Sequence, residues 1–261
     1  MKLTSILLLL IAFSFSSYSQ QWKLTGGYSL EIPKQEMSKN IQAANGLQAG
    51  VLYQLPGKLK RLSVGAELGV GTYASKRIDQ TFQFDVNTSS IVPVNYNSNI
   101  FYSNFLARLN LLPDKSLVIP YIDLKGGLYN FFSNIYIDDP NDPNGCHALQ
   151  NENIVNDKTF YWSAGGGIQI NPAVFSNRKK NRNEVMIDIG ANTIRGGKMD
   201  YINTKHLIDP QTINDPGGKP LSVQFINAST QEIHEHTVAQ VYTSPLRLLE
   251  FRVGVTVTLG R

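Results

Sequence analysis

The sequence predicts an all-β fold, an eight-stranded antiparallel up-and-down transmembrane β-barrel with short turns at one end and long loops at the other. Three observations predict it. Apolar residues recur at period 2 in eight stretches, and little recurs at the 3.6-residue period of a helix. The connections between these stretches alternate between short and long. The face opposite the apolar one mixes glycine with a few long charged residues, which suits a crowded small lumen better than a water-facing surface.

The chain opens with Met1 and Lys2, a ten-residue apolar run from Ile6 to Phe15, and small residues Ser17 and Ser19 ahead of Gln20. This pattern reads as a secretory signal peptide over residues 1–19, with one barrel domain over residues 20–261. The run is shorter than the roughly 20 apolar residues of a membrane-spanning helix.

Eight strands follow. The first sets Trp22, Leu24, Tyr28, Leu30 and Ile32 against Lys23, Thr25, Ser29 and Glu31. The second sets Leu47, Ala49, Val51, Tyr53 and Leu55 against Gln48, Gly50 and Gln54, and the third runs from Leu62 to Val70 with Glu67 and three glycines opposite. In the fourth, Phe101, Phe105, Ala107 and Leu109 oppose Tyr102, Asn104 and Arg108, and in the fifth Ile122, Leu124 and Leu128 oppose Tyr121, Asp123, Lys125 and Tyr129. The sixth has Phe160, Trp162 and Ile168 outside Tyr161, Gly165 and Gln169, and the seventh has Val185, Ile187 and Ile189 outside Asp188 and Asn192. The last alternates from Leu249 to Leu259, with Glu250 and Arg252 on its polar face. Segments of about ten residues match the span of a tilted barrel strand, and alternation keeps their mean hydropathy ordinary although half of each strand meets lipid.

Pro56 to Lys60, Pro113 to Ser116 and Asn171 to Asn183 form the short side, expected to be periplasmic. The third of these carries Arg178, Lys179, Lys180 and Arg182. Pro33 to Ala44, Lys76 to Asn95, Ser133 to Asp157 and Gly196 to Gln240 are longer, richer in Asn, Asp, Pro and Ser, and read as extracellular loops. Aromatic residues near strand ends, Trp22, Tyr53, Phe101, Phe132, Phe160 and Trp162 among them, fit interfacial girdles.

The chain resembles the small outer-membrane β-barrel proteins, the OmpA-like transmembrane barrel and opacity-type porin families, in the form common among Bacteroidetes. The resemblance is carried by PYIDLKGGLYNFF at Pro120 to Phe132, by FYWSAGGGIQINP at Phe160 to Pro172, and by the final FRVGVTVTLGR. It implies an integral place in the outer membrane, the lipid bilayer and the barrel-insertion machinery as partners, and no catalytic signature. The chain departs from many such barrels by ending on Leu259, Gly260 and Arg261 rather than on an aromatic residue.

Ions in hydrocarbon are costly, so strand-borne charges should face the lumen. Glu67, Arg108, Asp123, Lys125, Asp188, Glu250 and Arg252 all fall on polar faces and form the candidate lumen ion-pair network. Tyr73, Tyr102, Tyr121, Tyr129 and Tyr161 add bulk there. No catalytic, cofactor or metal residues are assigned. His206, His234 and His236 are read as exposed histidines of the long fourth loop or its approach to the last strand, with no third ligand to complete a metal site, and His236 with Ser244 is too loose a pair to define a hydrolase. Asn227 heads an Asn-Ala-Ser triplet that is uninformative in a bacterial setting. Lys and Arg number 24 against 20 Asp and Glu, a balance that does not argue for nucleic acid. The single cysteine, Cys146, excludes an intramolecular disulfide framework.

The expected function is that of a non-enzymatic barrel with a structural or binding role through its loops, its lumen plugged by ion pairs, and with a periplasmic or surface protein as partner. A passive small-solute or ion porin is one alternative. An outer-membrane subunit of a Bacteroidetes secretion or gliding (type IX) apparatus is another.

Overall fold

The computed structural model describes residues 21–83, 89–114, 116–138, 148–172, 184–205, 207, 217–226 and 233–259. Residues 1–20, Cys146, His206, Asn227, and the basic run from Arg178 to Arg182 lie outside them. Among the described residues nine strands run β1 (Gln21–Pro33), β2 (Ala44–Gln54), β3 (Leu62–Gln83), β4 (Ser89–Asn110), β5 (Val118–Asp138), β6 (Ala148–Ile170), β7 (Glu184–Ile202), β8 (Lys219–Ile226) and β9 (Ile233–Leu259). Each neighbouring pair is antiparallel, and β1 closes the circle by pairing with β9 from Trp22↔Leu259 to Pro33↔Leu248. The wall of the closed barrel therefore has eight strands, β1 to β7 and β9, while β8 pairs only with the far part of β9.

The two faces sort as the alternation dictates. Phe105 and Phe160 are 80 % and 78 % exposed on the outside, with Leu47, Leu68, Leu124, Trp162 and Val253 also exposed. Their strand neighbours Leu106, Tyr161, Lys125 and Arg252 are buried inside. About ten residues per strand at about 3.3 Å rise, tilted by about 40°, make this outer belt about 25 Å tall.

The predicted long loops need correction, because most of them are strand. β3 and β4 continue to Gln83 and from Ser89, β5 and β6 to Asp138 and from Ala148, and the fourth stretch holds the end of β7, all of β8 and the start of β9. Pairing of β2 with β3 stops at Asn45↔Thr72, and pairing of β6 with β7 stops at Tyr161↔Gly196. Beyond these points the wall divides into two sheets, β3–β4–β5–β6 and β7–β9–β8. They enclose a core of Val92, Val94, Tyr96, Ile135, Ile137 and Val155 on one side and Ile202, Val223, Val238 and Ala239 on the other. Gln80 Nε2 spans the gap to the Val238 carbonyl at 3.2 Å. The Asn, Ser and Pro residues that read as loop are the water-facing side of a sheet, with Pro93, Asn95 and Asn97 alternating against Val92, Val94 and Tyr96.

The predicted loop from Pro33 to Ala44 also differs. It contains a one-turn helix, α1 (Met37–Asn40), and folds inward over the mouth of the barrel. Met37 and Ile41 are fully buried against Tyr73, Phe131, Tyr201 and Leu246. The Arg247 amide donates to Met37 Sδ at 3.3 Å, and the Thr204 amide donates to the Asn40 carbonyl at 2.9 Å, which ties the lid to β9 and to the end of β7.

Candidate functional site: the charged lumen

Because side-chain direction alternates strictly along a strand, one register fixes every inward position, and the inward set here is polar. All seven residues of the predicted network are buried in the lumen. They form two layers.

In the layer nearer the termini, Arg108 presents its guanidinium as a fork to Asp123, with Nε to Oδ1 at 2.9 Å and Nη2 to Oδ2 at 3.0 Å, while Nη1 reaches Asp188 at 2.6 Å. Planar bidentate recognition of this kind is what arginine supplies and lysine does not. Arg252 pairs with Asp123 from the other side, and its Nε stands 3.6 Å from Asp188. Tyr121 completes the layer: its ring lies 4.0 Å beneath the Arg108 guanidinium, and its hydroxyl donates to Asp188 at 2.6 Å and accepts from Arg252 at 3.0 Å. Gln169 adds a further donor to Asp188 at 3.1 Å.

In the next layer, Lys125 Nζ sits between Glu67 at 2.6 Å and Glu250 at 3.2 Å. Asn192 donates to Glu250 at 2.7 Å and Asn104 to Glu67 at 3.3 Å. Each carboxylate thus has a cation and an amide donor, the condition under which buried ions are tolerated.

Sequence reasoning missed two further charges, although it placed both on the polar face of β1. Lys23 is buried at the terminal end, with Asp114 of the β4–β5 turn 3.9 Å away. Glu31 is buried beside the second layer, as the register partner of Glu250, and is held by the hydroxyls of Tyr129 and Ser29. Above the ions come the tyrosines: Tyr102 stacks on Tyr129 at 5.4 Å, and Tyr161 meets Tyr129 edge-on at 5.4 Å. Tyr73 then contacts Phe131 at 5.2 Å beneath the lid. Ion layers, tyrosines and lid residues thus follow one another along the bore.

The reading of the histidines as loop residues needs correction, while His236 and Ser244 stay apart. His234 and His236 belong to β9, opposite Phe225 and Val223 of β8, and are not loop residues. Ser244 is buried and bonded to the Tyr201 hydroxyl at 2.9 Å. Eight residues of extended strand, about 26 Å, separate it from His236, so the two cannot act on one bond. Among the described residues no group of three or more His, Cys, Asp or Glu is placed to hold a metal ion.

The geometry defines a closed eight-stranded antiparallel β-barrel with buried charged residues in its lumen. No protein-family model matches the chain, and no curated protein matches it. Among solved structures it is similar to Neisserial surface protein A (8 % identity, 94 % of this chain and 98 % of that one, TM-score 0.40). It is also similar to a major outer membrane protein of Thermus thermophilus (11 %, 93 % and 100 %, TM-score 0.47). A third is Ail, the attachment invasion locus protein of Yersinia pestis, solved with the heparin analogue sucrose octasulfate (11 %, 93 % and 100 %, TM-score 0.38).

Proposed function

We propose that the protein is an integral, non-enzymatic barrel of the bacterial outer membrane, a non-conducting anchor that holds a rigid two-sheet platform outside the cell as a binding or partner-anchoring surface. One observation carries this reading: polarity inverts along the same strands. In the belt the outside is apolar and the inside charged, whereas beyond Thr72, Asn99 and Thr193 the outside is polar and the inside apolar. Water cannot be the solvent for both halves, since an encircling apolar belt far exceeds the few hundred Å² that soluble monomers expose. A bilayer around the belt and water around the two sheets satisfy both.

On this reading the turns and termini are periplasmic, the two sheets are extracellular, and the N-terminal segment is the export signal. The test is fractionation. The mature chain is expected in the outer membrane, with heat-modifiable migration on gels, and an impermeant thiol reagent is expected to label Cys146, between the ends of β5 and β6, on intact cells. Recovery as a soluble periplasmic protein would remove the membrane reading; labelling only after the membrane is opened would invert the topology.

A further inference from the structure

At the upper edge of the apolar belt, on the outside of the barrel, β6, β7 and β9 carry Trp162, Arg195 and Arg247 in one cross-strand row, Trp162↔Arg195 and Arg195↔Arg247. Two arginines directly opposite on neighbouring strands bring Cβ atoms about 5 Å apart, and like charges in that position destabilise the sheet. Among the described residues neither has an ion-pair partner, and the Arg247 Nε is buried without a hydrogen-bond acceptor. The nearest acid along β7, Asp200, is held by the Thr243 hydroxyl instead. Beside the pair lies a surface notch of about 460 Å³, floored by Gly196 and Gly197 at the β7 bulge and walled by Phe160 and Trp162. The notch opens where β6 and β7 stop pairing at Tyr161↔Gly196 and the register of β7 shifts between Arg195 and Lys198.

The chemistry of the notch is that of an amphiphile with an acidic head. Two arginines at facing register positions can both turn toward one phosphate, which accepts forked hydrogen bonds and removes their repulsion. The Arg195 guanidinium, 5.7 Å over the Trp162 ring, is already positioned by the aromatic. Below the pair comes the Thr193↔Leu249 row, and past it Ala191, Phe251 and Val253 continue the apolar belt, where acyl chains would lie.

We propose that Arg195 and Arg247 form a binding site for the phosphate of a phosphorylated lipid in the outer leaflet, its acyl chains lying along the belt below Phe160 and Trp162. This inference rests on the membrane placement given above.

The experiment uses the mature full chain purified in zwitterionic detergent and titrated with monophosphoryl lipid A, with bound lipid counted by native mass spectrometry. One retained lipid is expected, with the dephosphorylated lipid binding more weakly. Arg195→Gln with Arg247→Gln should weaken retention by at least about tenfold, as loss of charge-assisted bonds does, while Arg77→Gln, which removes an exposed arginine of β3, should leave it unchanged. Heat-modifiable migration shows whether the double variant folds; should it fail to fold, each single variant should still weaken retention. Equal retention by folded wild type and variants overturns the site, and displacement by the same concentration of inorganic phosphate overturns the lipid in favour of a free anion. Outer-membrane recovery with no phosphate preference defeats this inference alone, whereas recovery as a soluble protein defeats both it and the membrane reading.

Discussion

Arg108 and Asp188 bond across the lumen at 2.6 Å although their strands, β4 and β7, are separated in the wall by β5 and β6. The bond is a chord of the barrel, and the same guanidinium forks onto Asp123 of the adjacent strand. Removing Arg108 leaves two carboxylates with Arg252 as their remaining cation. Truncating one partner of a buried pair costs about 3–5 kcal/mol, so Arg108→Ala should lower the temperature at which the folded gel band disappears. Arg108→Lys keeps the charge and loses the fork, and should fall between. A melting temperature unchanged in Arg108→Ala would show that the network does not hold the barrel together.

Closure of the barrel depends on a second close relationship, between Gly27 of β1 and Gly254 of β9, which are register partners facing the lumen. A Cβ on Gly254 would stand 2.8 Å from the Gly27 Cα, and a Cβ on Gly27 would stand 2.7 Å from the Gly254 Cα. Backbone cannot give way as a side chain can, so Gly254→Val should destabilise by about 1–3 kcal/mol and reduce the folded fraction recovered from refolding in detergent. Gly126→Ala is the control, because a Cβ there meets only the Tyr161 carbonyl, at 3.9 Å. Equal loss in both variants would show that the β1–β9 seam has no special sensitivity.

The lid gives a third prediction. Met37 is fully buried at the mouth, and Met→Ala at such a site typically costs about 2–5 kcal/mol. The cost should fall locally on the β1–β2 connection, which is tied to the barrel by few hydrogen bonds. In Met37→Ala, trypsin should cut after the exposed Lys39 faster than in wild type, while heat-modifiable migration persists. Cleavage at the wild-type rate would mean that Ile41 alone secures the lid.

Much of the barrel was legible because its strand period is 2 and the two faces differ sharply. Alternation placed every strand of the belt, and the sign of its polar face placed Glu67, Arg108, Asp123, Lys125, Asp188, Glu250 and Arg252 inside. Cross-strand partners were not legible, since the Arg108–Asp188 chord depends on shear and tilt rather than on spacing within either strand. The outer halves of β3 to β6 were hidden for a different reason. Asn95, Asn97 and Asn134 carry poor β-propensity, so the signal that wins there is burial of Val92, Val94, Ile135 and Ile137, visible only once the facing sheet is known. Met37 and Ile41 sat in a segment whose polarity suggested solvent, and nothing local marks a one-turn helix as a lid. The Arg195–Arg247 row needed the β7–β9 register, which no single strand contains.

The final prediction is that the barrel does not conduct. Eight strands leave an interior that side chains can fill, whereas water-filled porins use about 16 to 18 strands. Along this bore an ion would have to pass the Arg108–Asp123–Asp188–Arg252 layer, the Glu67–Lys125–Glu250 layer, the Tyr102–Tyr129–Tyr161 stack and then Met37 and Ile41 of the lid, all of them buried. The two ion layers are also tied to each other through Arg252, whose guanidinium pairs with Asp123 and stands 4.0 Å from Glu67. Wild-type protein in planar bilayers should therefore give a flat baseline. A small leak should appear only when an ion layer and the lid are weakened together, as in Arg108→Ala with Met37→Ala. Large reproducible single-channel steps from the wild type would show that the layers part readily and that the porin reading should replace the anchor.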